Sequence, residues 1–266
     1  MRILFIGDIV GKAGRKALLT LLEGLIEREG IDFTIANGEN AAGGIGITPI
    51  ISREILEKGV DVITSGNHIW AKKEIIPFLD VEERILRPAN YPDGAPGRGS
   101  GIFATRKGEK IGVLNLEGRV FMKTLDCPFT RAEKELTELK RKAHCTVVDF
   151  HAEATSEKMA LGWFLDGKAS AVLGTHTHVQ TSDERVLPGG TAYITDVGMT
   201  GPIGSVIGIK REVAIERFLT QMPRKFDVAS REIELQGVIL EINAHDGRSE
   251  SIRRLKVPLD DERIGR

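Results

Sequence analysis

Short apolar runs alternate along the chain with longer stretches whose apolar positions keep helical spacing. "RILFIG" (2–7) precedes a helical pattern near 14–28, "FTIANG" (33–38) one near 48–58, and "DVITSG" (61–66) one near 71–79. Further on, "TVVDF" (146–150), "ASAVLG" (169–174) and "TAYITD" (191–196) read as strands, and 131–144, 156–167 and 211–221 as helices. Strand-like runs alternating with helices predict βαβ units around a core of parallel strands. "GIFATRKGEKIGVLNLEG" (101–118) predicts a hairpin turning at Lys107–Gly108, and 231–244 and 249–257 give two more strands. The Pro- and Gly-rich stretches 88–101 and 196–208 read as loops, the second placed to line a pocket or to run over the surface. Nothing resembles an interdomain linker, so one domain over 1–266 is expected.

The residues that close these strands carry the chemistry. Asp8 follows "LFIG", Glu39 and Asn40 follow "TIANG", and Asn67 and His68 follow "ITSG". His151 follows "VVDF", and His176 and His178 follow "AVLG". Ligands of open α/β sheets bind outside the carboxyl ends of the strands. Four of the six histidines fall at such ends, leaving His144 and His245 as surface or turn residues. In "LGTHTHVQT" (173–181), an extended backbone would aim His176 and His178 to the same side. Taken singly, Asp8 reads as a helix cap, Asn67 as a turn residue and His151 as a core histidine. Taken together they read as a metal site.

Asp8, Glu39, Asn40, Asn67, His151, His176 and His178 make seven candidate ligands, too many for one zinc with three protein ligands and a water. They suit two ions, with a carboxylate between them. Imidazole mixed with carboxylate and amide favours Fe, Mn or Zn, and three histidines argue against magnesium.

Composition narrows the partners. The chain has 266 residues, a net charge of -1 and 41% hydrophobic residues, with no basic stripe for a nucleic-acid duplex and no apolar run that spans a bilayer. The start, "MRILFIGDIVGKAGRK", lacks the features of a signal peptide, and two cysteines make no disulfide framework. A soluble cytoplasmic protein is expected, with oligomerisation open. "GDIVGKAG" is one residue short of a phosphate-binding loop and has Ala13 after the lysine. "GGIGIT" (43–48) does not complete G-x-G-x-x-G, and both segments read as turns shaping the pocket.

"GDIVG", "GEN", "GNH", "FHAE" and "GTHTH" resemble the ordered motifs of the calcineurin-like metallophosphoesterases, most closely the bacterial YmdB-type phosphodiesterases. The likeness extends over "EGRVFM" (117–122), "DFHAEATSEK" (149–158) and "GGTAYITDVGMTGP" (189–202). It implies a four-layer αββα sandwich, two mixed sheets face to face with helices outside, and a dinuclear centre at the carboxyl ends of the strands that hydrolyses phosphodiesters. The usual Asp-x-His is Asp8–Ile9–Val10 here, and Glu39 stands at the usual bridging aspartate. The resemblance assigns Asp8, Glu39, Asn40 and His178 to one ion, and Glu39, Asn67, His151 and His176 to the other. It makes His68 the candidate general acid, against a packing role under the loop. Cyclic 2′,3′-nucleotides or short RNA ends are the implied substrates. Two other classes stay open: a metal-dependent amidohydrolase, which also uses His-x-His but on an early barrel strand, and a non-catalytic regulatory protein that keeps its metals.

Overall fold

The computed structural model describes residues 1–225 and 227–260. In chain order the elements are β1 (Arg2–Ile6), β2 (Asp8–Ile9), α1 (Gly11–Glu29), β3 (Phe33–Asn37), α2 (Pro49–Glu57), β4 (Val62–Thr64), α3 (Ile75–Phe78), β5 (Ser100–Ala104) and β6 (Lys110–Glu117). There follow α4 (Pro128–Lys140), β7 (Cys145–His151), α5 (Thr155–Phe164), β8 (Ala171–Thr175), β9 (Arg185–Val186), β10 (Ala192–Ile194), β11 (Met199–Pro202), α6 (Arg211–Thr220), β12 (Ile233–Ile242) and β13 (Ser249–Pro258).

Strand β1 shows how the layers arise. Successive side chains of a strand point to opposite faces. Leu4 and Ile6 pack with Leu18, Leu21, Leu22 and Leu25 of α1, whereas Ile3 and Phe5 pack with Val113, Val147 and Leu173 of the other sheet. A strand covered on both faces has no polar side, which is why "ILFI" is uniformly apolar. On the far side, Leu114, Leu116, Val148 and Phe150 pack with Leu136 and Leu139 of α4 and Leu161 of α5. Three apolar clusters therefore separate four layers in the order helix, sheet, sheet, helix.

One sheet runs β2–β11–β12–β1–β3–β4, with β13 also paired to β12; the other runs β5–β6–β7–β8–β10–β9. β1, β3 and β4 are mutually parallel, while β12 runs against β1. β6, β7, β8 and β10 are parallel, with antiparallel edges at β5 and β9. The sheets are mixed, as the metallophosphoesterase resemblance implies, and not wholly parallel. The hairpin at 101–118 forms as expected, as β5 and β6.

Three expectations need correction. The helix expected over 71–79 is only Ile75–Phe78, because Pro77 is tolerated in a first turn but not deeper in a helix. The helix expected over 131–144 starts at Pro128, which occupies its first turn, and ends at Lys140. The loop expected over 196–208 contains β11, which pairs Met199 with Asp8 and Gly201 with Glu234. Its glycines hid a strand that carries little side-chain pattern. Of the expected domain, residues 261–266 lie outside the described residues.

Phe5 is fully buried between the sheets. Phe5→Ala should cost about 3–5 kcal/mol of stability, through lost burial and the cavity left behind. Urea unfolding should show a lower midpoint at an unchanged slope.

Candidate metal centre

The parallel strands of both sheets end at one place, and their closing residues meet there. His151 Nε2 lies 3.0 Å from Asn67 Oδ1, 3.1 Å from Glu39 Oε1 and 3.0 Å from His176 Nδ1. His178 Nε2 lies 3.3 Å from Asn40 Nδ2 and 3.6 Å from Asp8 Oδ1. Asn40 Nδ2 in turn donates to Glu39 Oε1 at 3.2 Å. The seven residues thus form two groups, one around His151 and one around His178, with Glu39 touching both. Ligand atoms of Glu39, His151 and His176 all lie within 4.8 Å of one another. His68 sits beside them: its Nδ1 is 2.9 Å from Asn40 Oδ1 and 3.2 Å from Glu39 Oε1, and its backbone N–H donates to Glu39 Oε2 at 3.1 Å.

The two histidines after β8 do not converge by strand alternation. β8 stops at Thr175, and His176 and His178 both take left-handed backbone conformations, at φ 98 and φ 64. The loop sends His176 to the His151 group and His178 to the Asp8 group. Such conformations are strained for side chains like these and persist only where the surroundings impose them. Asp196 does so here. Its carboxylate accepts from Thr177 N–H at 3.1 Å, Thr177 Oγ1 at 2.7 Å and Gly198 N–H at 2.8 Å, and pairs with Lys158 Nζ at 2.9 Å.

Partners behind the rings fix how each imidazole faces the centre. His178 Nδ1 donates to the Ile207 carbonyl at 2.9 Å, and His176 Nε2 lies 3.0 Å from Glu153 Oε2. Thr175 Oγ1 donates to Asp149 Oδ1 at 2.7 Å, so it accepts from His151 Nδ1, 2.9 Å away. In each case the outer nitrogen faces an acceptor and the inner nitrogen is aimed at the cluster. This is the arrangement of metal-ligating histidines, whose second nitrogen is tied to an acceptor. Gly66 makes room for it, because a Cβ there would lie 2.1 Å from His151 Cδ2.

The electrostatics of the cluster suit a cation. Asp8 and Glu39 are 0% and 1% exposed. Burial opposes their ionisation, yet His178 beside Asp8 and His151 beside Glu39 hold both below the usual carboxylate range. Burial also disfavours charge on His151, but the Glu39 carboxylate lifts it to about 9, while burial and the facing His151 push His176 down to about 3. Burial raises Asp149, behind His151, to about 7. Asp8 Oδ1 is buried without a hydrogen-bond partner among the described residues. Two buried carboxylates, an orphaned oxygen and three inward nitrogens fit divalent metals.

The sequence model of the YmdB-like proteins matches residues 4–255. The chain belongs to the YmdB-like family. A 2′,3′-cyclic-nucleotide 2′-phosphodiesterase of Bacillus subtilis is 48% identical over 257 residues, which cover 97% of each chain. Among solved structures, a hypothetical protein from Thermus thermophilus superposes with a TM-score of 0.91 at 43% identity, covering 98% of this chain and 100% of that one. A phosphatase from Mycoplasma pneumoniae gives the same TM-score at 34% identity, over 100% of this chain and 96% of its own. In this YmdB-like chain no described helix is long and apolar enough to cross a membrane.

Five supporting residues escaped the sequence reading: Asp149, Glu153, Lys158, Thr175 and Asp196. Asp149, Glu153 and Asp196 left a signal as charges inside or just after apolar runs, in "TVVDF", "FHAE" and "YITD"; Lys158 and Thr175 left none. The Lys158–Asp196 pair is 1% and 0% exposed. Removing one partner of such a pair strands the other charge. Lys158→Met should therefore cost about 3–5 kcal/mol in urea unfolding, and Lys158→Met/Asp196→Asn should recover part of that loss.

Proposed function

We propose that this YmdB-like protein is a dinuclear-metal phosphodiesterase that hydrolyses 2′,3′-cyclic nucleotides or short RNA ends. The observation that carries the reading is the inward aim of three imidazoles at a cluster built around Glu39. Asp8, Glu39, Asn40 and His178 would hold one ion; Glu39, Asn67, His151 and His176 would hold the other. Iron, manganese or zinc suits this mixed donor set. Two such ions, when bound, neutralise phosphate oxygens and make hydroxide available near neutral pH. The fold is not the closed barrel that an amidohydrolase would use, since both sheets are open and mixed. The two cysteines are free, and we place the enzyme in the reducing cytoplasm.

The chain's own task beyond holding ions is proton delivery. Opening a 2′,3′-cyclic phosphate expels an alkoxide, a poor leaving group until it is protonated. His68 is suited to the role. Its side chain is 33% exposed, its Nδ1 is engaged by Asn40 and Glu39, and its Nε2 has no partner among the described residues. Nε2 can therefore meet the leaving oxygen while Nδ1 keeps the ring oriented. A positioned acid of this kind contributes roughly 10²–10⁴-fold.

Elemental analysis should find close to two transition-metal ions per chain. Glu39→Ala should lose both metal and hydrolysis of bis-p-nitrophenyl phosphate, since it removes the residue common to both groups. Full activity with one ion or none would sink the dinuclear reading.

His68→Ala should keep its metals, yet its rate on 2′,3′-cyclic AMP should fall by roughly 10²–10⁴. The loss should be much smaller with p-nitrophenolate as leaving group, which departs without a proton. His176→Ala should instead lose metal and activity together on every substrate. Equal losses on both leaving groups in His68→Ala, with metals retained, would exclude the proton transfer.

A further inference from the structure

Between β6 and α4 the chain makes an excursion that the chemistry above does not use. Asn90 ties both of its ends. Asn90 Oδ1 accepts from Glu117 N–H at 2.9 Å, and Nδ2 donates to the carbonyls of Glu117 at 2.8 Å and Asp126 at 3.0 Å. Glu157 of α5 clamps the first half, accepting from Arg119 N–H at 3.0 Å and Val120 N–H at 3.2 Å. The loop is held firmly, yet its tip packs against nothing. Phe121 is 89% exposed and has φ 62.

Phe121 occupies the third place of the turn Arg119–Met122, which is closed by Met122 N–H donating to the Arg119 carbonyl at 3.3 Å. A positive φ at that place suits glycine or asparagine. A phenylalanine there bears strain, and its ring recovers none of it by burial. Stability alone therefore does not account for this residue. Two positions on, Lys123 Nζ lies 3.4 Å from the backbone carbonyl of Asn67, one of the proposed ligands. The Cα atoms of residues two apart lie within about 7 Å, so the turn stands at the rim of the metal centre. It presents an exposed ring two positions before a lysine whose ammonium reaches Asn67, next to a site for a phosphodiester.

We propose that Phe121 is the platform on which the nucleobase of the substrate stacks, with Lys123 beside it meeting the phosphate. The inference rests on the phosphodiesterase reading and extends it from the phosphate to the base. Every base has a π-face, so stacking on one aromatic ring tolerates all four. The platform then favours nucleotides over simple phosphodiesters without selecting among bases.

The test compares 2′,3′-cyclic AMP with glycerol 1,2-cyclic phosphate, which has the same five-membered cyclic phosphate and no base, using metal-loaded protein. Phe121→Ala should raise KM for 2′,3′-cyclic AMP about tenfold or more, leave kcat nearly unchanged, and leave glycerol 1,2-cyclic phosphate unaffected. Phe121→Trp should restore the wild-type KM. Lys123→Gln should weaken both substrates. Calorimetry with 3′-AMP should show the same loss in Phe121→Ala, independently of turnover. Phe121→Asn, which accepts the positive φ, should melt higher than the wild type while losing base binding. The proposal is overturned if Phe121→Ala behaves as wild type on both substrates, or weakens both equally. It is also overturned if Phe121→Ala changes only the oligomeric state, which would make the ring an interface residue. A wild-type protein that cleaves neither substrate overturns the phosphodiesterase reading instead, and the 3′-AMP titration still decides the platform.

Discussion

Two carboxylates with almost no contact with water, Asp8 and Glu39, set the terms for everything around them. An ionised carboxylate in a protein interior is costly unless it is paired or coordinates a metal. Counter-charge must therefore come from several directions at once, and no single strand can provide it. Asp8 and Glu39 come from the sheet of β1 and β3, and His151, His176 and His178 follow β7 and β8 of the other sheet. The sheets must end together for these groups to meet. Polar links between them secure that alignment below the centre. Asn37 donates to Asp149 at 3.1 Å, and Asn115 exchanges hydrogen bonds with the backbone of Ser65 at 2.9 and 3.0 Å.

The candidate ligands stood out in the sequence because of where parallel strands place them. Each of Asp8, Glu39, Asn67 and His151 closes an apolar run, often after a glycine, so a reader of the chain finds them by position alone. The layers were legible for a similar reason, since runs such as "ILFI" have no polar side to expose. The supporting residues were not. Asp149 lies inside the apolar β7 and Lys158 in the polar first turn of α5, and neither setting shows the partner. Lys158 meets Asp196 across 38 positions, and sequence spacing carries no sign of such a pairing. The left-handed turns at His176 and His178 were also hidden, because histidine rarely takes that conformation. The alternation expected there does not occur, and two left-handed residues bring the rings to the cluster instead.

That strain has a structural counterpart. A left-handed non-glycine residue costs on the order of 1–3 kcal/mol, and this loop holds two. The Asp196 bonds to Thr177 and Gly198, with Lys158 behind them, and the His178–Ile207 bond oppose relaxation. The buried ion pair thus serves to hold two imidazoles in diverging directions.

Burial divides the labour at this site. The groups that fix geometry, Asp8, Glu39, Asp149 and His151, are sealed from solvent. The groups proposed to meet a substrate are not: the His68 side chain is one-third exposed, and Lys123 and Phe121 stand in water. The division follows from what each must do. A buried group moved by about 1 Å changes its electrostatic environment steeply in a medium of low dielectric, so the heart of the cluster is packed on all sides, while Asn67, His176 and His178 at its edge are partly exposed. A proton donor must reach an atom that arrives from solvent, and a stacking ring must leave one face free. On the proposed reading, substitutions at the rim would alter which phosphodiester is accepted without disturbing the centre, whereas substitutions beneath it would act first on the centre itself.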